Sequence, residues 1–314
     1  MTHASSADVI DNAAWRDSRP RLSVLTPVYR YDPCALIKRI AGEADRLDGA
    51  VELLLVDDGT GDADLTTRIV DTLSRLSMPA RLVTFKANRG RAAGRNRLFH
   101  DSRGGHVLFI DCDMAPDAPD FLARWLALVD EDQPPVAFGG FSLSQVEPTR
   151  EQRLHYAIQT RGECISVAER ARTPEKYVYT SNLLVRRDVF KAEAFDDGFS
   201  GWGWEDVEWG IRVAARFGVV HVDNPATHLG LDEDAVLLSK YESSAGNFAR
   251  VVAKHGQTLK GYPSYRLARL LKQAPDLAGL RRGARRLAQS RAPLMARVIA
   301  AKVFRAAVYA EVIK

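Results

Sequence analysis

The chain has 314 residues, of which 46% are hydrophobic and 27% charged, so it can bury a sizeable core and is not of the disordered class. No apolar run approaches the roughly 20 residues of a membrane-spanning helix, and the first residues lack the basic-then-apolar order of a secretory signal. Cys34, Cys112 and Cys164 are widely spaced and form no CxxC motif, which argues against a disulfide framework or a zinc cluster. We expect a cytoplasmic protein.

The net charge of +4 is unevenly distributed along the chain. Residues 261–314 contain 12 Lys/Arg and 2 Asp/Glu, which leaves 32 Lys/Arg and 38 Asp/Glu for residues 1–260. The two parts are therefore expected to meet different partners. We interpret residues 1–20 as an N-terminal extension and residues 256–314 as a basic helical C-terminal extension.

Apolar, β-branched segments alternate with amphipathic segments through the first half of the chain. This order is typical of βαβ units that form an α/β fold with a mostly parallel sheet, flanked by helices. In such sheets, ligands bind at the carboxyl ends of the strands. The predicted strands are 22–28, 51–58, 80–86, 106–113 and 135–140.

The second half is less regular. It predicts one long helix over 149–168, a strand in "SNLLVRRDVF", a helix in "DVEWGIRVAARFG" that ends at Gly218, and a helix over 232–255. "VVHVDNPATHLG", between the last two helices, predicts a short strand that runs into a loop.

The first two predicted strands end in "TPVYR" and "VDDGTGD". The first ending has neither a GxGxxG nor a Walker motif, which disfavours dinucleotide oxidoreductases and P-loop enzymes. Asp57 and Asp58 could accept hydrogen bonds from a base or a ribose. The alternative is an Asp-Gly turn that caps the next helix.

The fourth predicted strand ends in "FIDCDMAPD". Because side chains two residues apart in a strand point the same way, Asp111 and Asp113 can offer two carboxylates to one cation, while Cys112 faces the other side. Divalent cations held by one or two carboxylates usually keep positions for substrate phosphates. The alternative is a helix cap or a turn.

A cluster of arginines and a later histidine are further candidate site residues. Arginines at positions 89, 91, 95 and 97 border a turn that enters a helix, where helix dipoles also attract negative charge, and we select Arg95 as the ligand contact. His228 lies in a loop beyond a strand and follows the acidic cluster described next. His221, inside the strand, is better suited to a structural role.

The segment "GWGWEDVEWG" places Trp202 and Trp204 between glycines and directly before Glu205 and Asp206. The dipole of the helix that follows could explain the acids, at about 0.3–1 kcal/mol each. Large aromatic rings on a glycine-flexed loop are expected to be poorly placed for core packing. Flat apolar rings beside carboxylates suit a sugar, with its CH face on Trp and its hydroxyls on acids.

Taken together, "TPVYR", "LLLVDDGTGD", "NRGRAAGRN", "FIDCDMAPD", "SNLLVRRDVF", "FDDGFSGWGWEDVEWGIRV" and His228 resemble a GT-A glycosyltransferase of the family 2 type. The second half is similar to the galactosyltransferase and N-acetylgalactosaminyltransferase C-terminal module. The resemblance covers roughly residues 20–255. It implies a nucleotide-sugar-binding half over 21–140 and an acceptor-binding half over 141–255.

The resemblance assigns the nucleotide site residue by residue. Pro27 and Tyr29, with Asp58, would hold the uridine of a UDP-sugar. Arg95 would lie near the nucleotide, and Asp111 would lie against the ribose and the metal.

The same resemblance assigns a divalent cation, Mn²⁺ or Mg²⁺, to the donor diphosphate. Asp113 and His228 would coordinate it, with Asp111 beside them.

On the acceptor side, the resemblance implies that Asp206 is the catalytic base that takes the proton from the acceptor hydroxyl. Glu205 would bind sugar hydroxyls, and Trp202 and Trp204 would shape the acceptor site. Retaining members commonly have Asn after the Glu, whereas Asp206 follows Glu205 here, which favours inversion. "SNLL" at 181–184 departs from the paired glycines of related modules and leaves the donor sugar open.

The implied enzyme transfers a hexose or N-acetylhexosamine, with Gal or GalNAc favoured, to a saccharide or lipid-linked saccharide, in bacterial surface polysaccharide or glycoconjugate synthesis. Two other classes stay open: a sugar-1-phosphate nucleotidyltransferase, which would usually carry a glycine-rich signature after the first strand, and a non-catalytic basic adaptor. For the transferase we expect no nucleic-acid partner.

The basic tail combines clustered Arg with apolar residues at helical spacing. The spacing of Leu294, Val298, Ala301 and Phe304 or Arg305 predicts an amphipathic helix suited to an anionic membrane surface. The enzyme would then be peripheral at the inner face of the cell membrane. The alternative is a terminal helix packed on the catalytic domain with its arginines in solvent.

Overall fold

The structure is a computed structural model that describes residues 7–313. Residues 1–6 of the predicted N-terminal extension and Lys314 of the predicted C-terminal extension lie outside the described residues. The chain divides into two compact units: Met1–Val146, Ile165–Ser200 and Trp209–Leu229 form the first, and Glu147–Cys164, Gly201–Glu208 and Gly230–Lys314 form the second. The domain boundaries expected from the sequence stay predictions.

The first unit contains two sheets. The larger has eight strands in the order β1-β4-β3-β2-β5-β9-β7-β10, and the smaller has the order β6-β11-β8. Parallel pairs run from β4 through β3 and β2 to β5, whereas β1 and β9 pair antiparallel with their neighbours. The strands are β1 (Asp8–Asp11), β2 (Leu22–Val28), β3 (Val51–Asp57), β4 (Ala80–Thr84), β5 (His106–Ile110), β6 (Met114–Pro116), β7 (Val136–Phe138), β8 (Phe141–Ser142), β9 (Asn182–Arg186), β10 (Val220–His221) and β11 (Ala226–His228).

The central strands are near-continuous apolar runs because helices cover both faces of a parallel sheet. All seven residues of β3 and all five of β5 are buried. The helices of this unit are α1 (Cys34–Ala44), α2 (Ala63–Ser74), α3 (Arg91–Asp101), α4 (Phe121–Glu131), α6 (Val167–Arg170) and α7 (Arg187–Ala192), with a short 3₁₀ helix at Pro174–Tyr177. The expected α/β fold with a mostly parallel central sheet is confirmed.

The second unit is helical. Its core joins Leu154 of α5 to apolar residues of the later helices, among them Phe248, Phe304 and Tyr309. Its helices are α5 (Arg153–Gly162), α9 (Asp234–Ser243), α10 (Ala245–Leu259), α11 (Pro263–Leu271), α12 (Leu277–Ala288) and α13 (Leu294–Val312). Helix α8 (Glu205–Phe217) begins in this unit and continues into residues of the first.

Three element predictions need correction. The helix predicted over 149–168 is the shorter α5, and α6 follows it after a break. The helix predicted over 232–255 is two helices, α9 and α10, which meet at Ser244. The predicted N-terminal extension includes β1, which pairs with β4 at the edge of the sheet.

The predicted amphipathic tail helix exists as α13, but its orientation differs from the expectation. Val298, Ala301 and Phe304, expected to face a bilayer, are each at most 1% exposed and belong to the core of the second unit. No helix within residues 7–313 has the length and hydropathy needed to cross a membrane.

Candidate active site

The loops after β2 and β3 lie side by side at the carboxyl edge of the large sheet. The amide of Asp58 donates to the carbonyl of Val28 at 2.9 Å, which brings Asp58 to the chain that carries Pro27 and Tyr29. A side chain at Gly59 would come within 2.4 Å of the Ala87 carbonyl carbon, and its φ is +73°. Glycine is therefore required where this loop passes the chain leading to α3.

Asp57 and Asp58 have different partners in this loop. The Asp57 carboxylate accepts the amide of Thr60 at 3.0 Å, as in the Asp-Gly turn considered from the sequence. The Asp58 carboxylate is buried and accepts the amides of Arg89 and Gly90 at 2.7 and 3.0 Å. Burial raises the pKa of Asp58, although these two amides partly offset that effect. Asp58 thus holds the entry to α3 in place.

An open cleft of about 430 Å³ lies beside these loops. Tyr29, at the start of the loop, is 42% exposed and therefore accessible to a planar ligand. The residues that line the cleft are Arg30, Tyr31, Asp32, Thr60, Asp62, Leu65 and Arg68.

Arg95 lies one turn into α3, where the sequence placed it, but its side chain is buried. The side chain is 1% exposed, and its guanidinium donates to the Asp111 carboxylate at 3.1 Å. Arg95 lies on the inward side of α3, one turn from its start, so the sheet covers it. Arg95 therefore holds Asp111 in place, and its expected contact with the nucleotide stays a prediction.

The end of β5 also differs from the expectation that Asp111 and Asp113 both belong to the strand. Strand β5 ends at Ile110, and residues 111–113 turn, so strand alternation does not set the directions of Asp111 and Asp113. Asp113 instead approaches His228, with 3.2 Å between Oδ2 of Asp113 and Nε2 of His228. Antiparallel pairing of β6 with β11 sets Met114 opposite His228 and so brings the two side chains together.

The surroundings of Asp113 favour the charged form of its carboxylate. Burial alone would raise the pKa of Asp113, but the hydrogen bond from His228 and the positive charges of His228 and Arg91 hold that pKa below its ordinary value. The carboxylate is therefore ionised at neutral pH.

Asp113 and His228 are the side chains that could hold a divalent cation at this site. Residues 7–313 contain no group of three His, Cys, Asp or Glu side chains arranged to hold a metal ion, so the expected convergence of Asp111 with Asp113 and His228 is not present. Asp113 and His228 nevertheless offer one oxygen and one nitrogen ligand. This donor set fits a cation that takes its remaining ligands from substrate phosphates and water.

Two residues near Asp113 were not selected from the sequence. Arg91, the first residue of α3, is exposed and acts electrostatically on both Asp113 and Cys112. Burial and then the charge of Asp113 raise the pKa of Tyr31, which shows that Tyr31 also lies near this carboxylate. Arg91 could have been chosen over Arg95 because residues at a helix start face its open end, whereas residues one turn in often face the sheet.

The aromatic pair of the second unit is better packed than expected. The Trp204 ring lies 4.7 Å from Phe248, and Trp202 lies 6.1 Å from Tyr241, measured between centroids. Trp204 has a φ of +76°, and the carbonyl of the preceding Gly203 accepts the Asn247 side chain at 2.9 Å. The premise that these rings are poorly placed for core packing is wrong, because the tail helices supply a second core beneath them.

Three acids follow at the start of α8. Glu205 is buried and Asp206 is partly exposed. Glu208 is 1% exposed and lies 3.1 Å from His255 and 3.3 Å from Lys254. Glu208 thus ties the start of α8 to α10, which leaves Asp206 as the accessible acid of the three.

Comparison with known protein families matches residues 23–193, more than half of the chain, to the family described as glycosyl transferase family 2. The matched segment contains the loops after β2, β3 and β5. It ends before "GWGWEDVEWG", so the resemblance to a galactosyltransferase C-terminal module stays a prediction. A comparison with curated proteins found no significant match.

Three solved structures with a similar fold are at most 20% identical to this chain. A mannosyltransferase from Pyrobaculum calidifontis, solved with GDP-mannose and Mn²⁺, is 17% identical over 96% of this chain and 89% of its own, with a TM-score of 0.53. TarS from S. aureus is 13% identical over 93% of this chain and 55% of its own, also at 0.53. A mycobacterial protein is 20% identical over 74% of this chain and 75% of its own, at 0.50.

At these identities the structural likeness establishes the fold, and the family match establishes the class of enzyme. The chain belongs to glycosyl transferase family 2 and is a glycosyltransferase with the GT-A fold.

Proposed function

We propose that this enzyme transfers a hexose or N-acetylhexosamine, with Gal or GalNAc favoured, from a UDP-sugar to a saccharide or lipid-linked saccharide, with inversion and with a divalent cation. Its biological setting would be the synthesis of a bacterial surface polysaccharide or glycoconjugate. The observation that carries the proposal is the contact of Asp113 with His228 at 3.2 Å, beside the Arg91 charge.

The nucleotide is assigned to the loops after β2 and β3. Exposed Tyr29, with Pro27 before it, would contact the uracil ring, and Asp58 would accept a hydrogen bond from the base. Asp58 already accepts two backbone amides, so its position is set before a ligand arrives. Asp111, held by buried Arg95, would accept hydrogen bonds from the ribose hydroxyls.

The diphosphate is assigned to Asp113, His228 and Arg91. Asp113 and His228 would hold Mn²⁺ or Mg²⁺, which supplies charge stabilisation for the leaving nucleotide diphosphate. Arg91, at the open start of α3, would place a guanidinium and a helix N-terminus against the same anion.

The acceptor is assigned to the start of α8. Asp206 would take the proton from the attacking hydroxyl, while Glu205 would bind sugar hydroxyls. Trp202 and the ring face of Trp204 would contact the acceptor, since Trp204 uses its Nε1 proton inside the fold. Inversion by a single displacement forms no covalent intermediate and needs only one base, and Asp206 is the only one of the three acids at the start of α8 that is not buried.

The test is a panel of UDP-Gal, UDP-GalNAc, UDP-Glc, UDP-GlcNAc, UDP-GlcA and GDP-mannose, assayed for nucleotide diphosphate release with Mn²⁺ and with EDTA. We expect metal-dependent release from one of the UDP-sugars, and a β-linked product by NMR. Turnover of GDP-mannose alone would overturn the uridine assignment. Retention of the α configuration would overturn inversion, and sugar-1-phosphate uridylylation would favour the nucleotidyltransferase alternative.

The proposal includes a membrane partner. The net positive charge of residues 261–314 suits an anionic bilayer, and attachment there would bring the enzyme to lipid-linked acceptors.

A further inference from the structure

The tail helices leave apolar side chains in solvent beside cations. On α11, Leu270 is 65% exposed, next to exposed Arg269 and one turn from Arg266. On α13, Met295 and Ile299 are 47% and 60% exposed and share a helix face with Lys302, because residues at i, i+4 and i+7 lie on one side. Each helix thus presents an outer stripe that combines apolar and basic residues.

Helix α12 also carries exposed apolar and basic residues, but on different sides of the helix. Its Ala284 and Ala288 are buried in the core, while Leu280 and Leu287, seven residues apart, are 36% and 43% exposed. Arg282 and Arg286, four apart, are exposed on the side of α12 away from the core. The exposed apolar and basic residues of the three helices are together called the tail surface: Arg266, Arg269, Leu270, Leu280, Arg282, Arg286, Leu287, Met295, Ile299 and Lys302.

The carboxylates nearby do not neutralise the tail surface. Within the tail, Asp276 caps α12 through the Gly279 amide, and Glu311 pairs with Arg281 at 2.6 Å. Arg285 and Arg297 form ion pairs with Glu242 and Asp234 of α9. The basic residues of the tail surface have no carboxylate partner among residues 7–313.

We propose that the tail surface is a docking face for an anionic lipid bilayer, which gives the membrane partner of the proposed function a defined location. A second copy of the same face would bring like charges together. Nucleic acid would leave the exposed Leu, Met and Ile without a matching surface, since single strands use aromatic stacking and duplexes use polar contacts. An anionic membrane interface accepts both apolar side chains and cations.

The location differs from the one the sequence indicated. The face of α13 that carries Val298, Ala301 and Phe304 belongs to the core, so a bilayer cannot reach it without unfolding the unit. The docking face lies on the opposite side of α13 and on the outer sides of α11 and α12. Docking through exposed residues requires no change in the fold.

The experiment is co-sedimentation of the full chain with phosphatidylglycerol/phosphatidylcholine vesicles and with pure phosphatidylcholine vesicles, at low and high salt. We expect binding to the anionic vesicles that weakens as salt rises. The variant Arg282→Gln/Arg286→Gln should bind about five- to thirtyfold more weakly at low salt. Leu287→Ser/Ile299→Ser, which keeps every charge, should also weaken binding severalfold, because apolar insertion is lost.

Matched controls are Arg46→Gln/Arg75→Gln, at exposed positions of the first unit, and Val9→Ser/Val236→Ser, at residues 42% and 46% exposed. Both should bind as the parent does. The inference is overturned if the parent stays in the supernatant with anionic vesicles at low salt. Binding of duplex DNA by the parent and by the arginine variant is measured in parallel. The inference is also overturned if the Leu287/Ile299 variant binds vesicles normally while the arginine variant loses both vesicle binding and DNA binding. That result would indicate a general site for polyanions.

The result of the vesicle-binding test can be distinguished from the result of the transfer assay that tests the proposed function. Vesicle binding is read without donor or acceptor, so a chain that sediments but releases no nucleotide would support the docking face and contradict the transfer assignment.

Discussion

The indole Nε1 of Trp204 donates a hydrogen bond of 2.9 Å to the hydroxyl of Tyr309, 105 residues later in the chain. The same hydroxyl lies 2.9 Å from Oγ of Ser244, and the Tyr309 ring stacks on Phe248 with centroids 4.1 Å apart. Trp204 precedes the acids of α8 directly. The last helix of the chain therefore supports the segment to which we assign the acceptor.

Replacing Tyr309 with Phe should destabilise the protein by about 1–3 kcal/mol, because the indole N–H of Trp204 and the buried Ser244 hydroxyl, which itself donates to the Tyr241 carbonyl, both lose the Tyr309 hydroxyl as a partner. Urea unfolding measures the loss. Transfer should fall as well, since Trp204 holds a φ of +76° that requires support from its surroundings. The control is Tyr156→Phe, in a half-buried position of the same unit, which should change stability by under about 0.5 kcal/mol. Equal effects of the two substitutions would contradict the supporting role.

Replacing Asp206 with Asn should preserve donor binding and lower turnover by roughly two to four decades, the usual contribution of a general base. Equilibrium binding of UDP and single-turnover transfer separate these two quantities. Glu233→Gln, at an exposed acid of the same unit, serves as the control and should transfer normally. If Asp206→Asn changes only the unfolding free energy, the acid stabilises the helix start and another group is the base.

Replacing Asp113 with Ala should weaken UDP binding in Mn²⁺ far more than in EDTA and lower transfer by about two decades or more, since a Lewis acid contributes several kcal/mol. Isothermal titration in both buffers measures the difference. His228→Ala should give the same pattern, because the two side chains are in contact. Asp120→Asn, at a half-exposed acid of the same unit, should leave the metal dependence intact. Equal affinity of the Asp113 variant and the parent in both buffers would refute the cation site.

Acidification from pH 7.5 to 5.5 should lower the free energy of unfolding. Burial lowers the pKa of His221 and of His106 in the folded protein. The unfolded chain then binds more protons than the native state once the pH falls below about 6.5, so stability decreases there, by at most about 1.4 kcal/mol per pH unit for each histidine. Urea unfolding across this range measures the slope.

The two variants that check this slope are His221→Gln and His100→Gln. The first should flatten the pH dependence, whereas the second, at a side chain 84% exposed, should retain the slope of the parent. A parent protein that becomes more stable between pH 7.5 and 5.5 would contradict the sign.

The sequence alone determined the sheet and the loops that carry chemistry. Strand β2 has the predicted bounds, and β3 and β5 begin where predicted, because short, near-continuous apolar runs signal buried parallel strands directly. The order of acidic loops after those strands was sufficient to indicate the glycosyltransferase family. Both signals are local in the chain, so neither needs knowledge of what lies opposite in space.

The tertiary structure decided which side chains meet. The contact of Asp113 with His228 depends on pairing of β6 with β11, and the burial of Arg95 depends on which side of α3 faces the sheet. The buried faces of Trp204 and α13 likewise depend on each other, across about a hundred residues. Helical periodicity shows that α13 has an apolar face, but only the packed partner decides whether that face meets a core or a membrane.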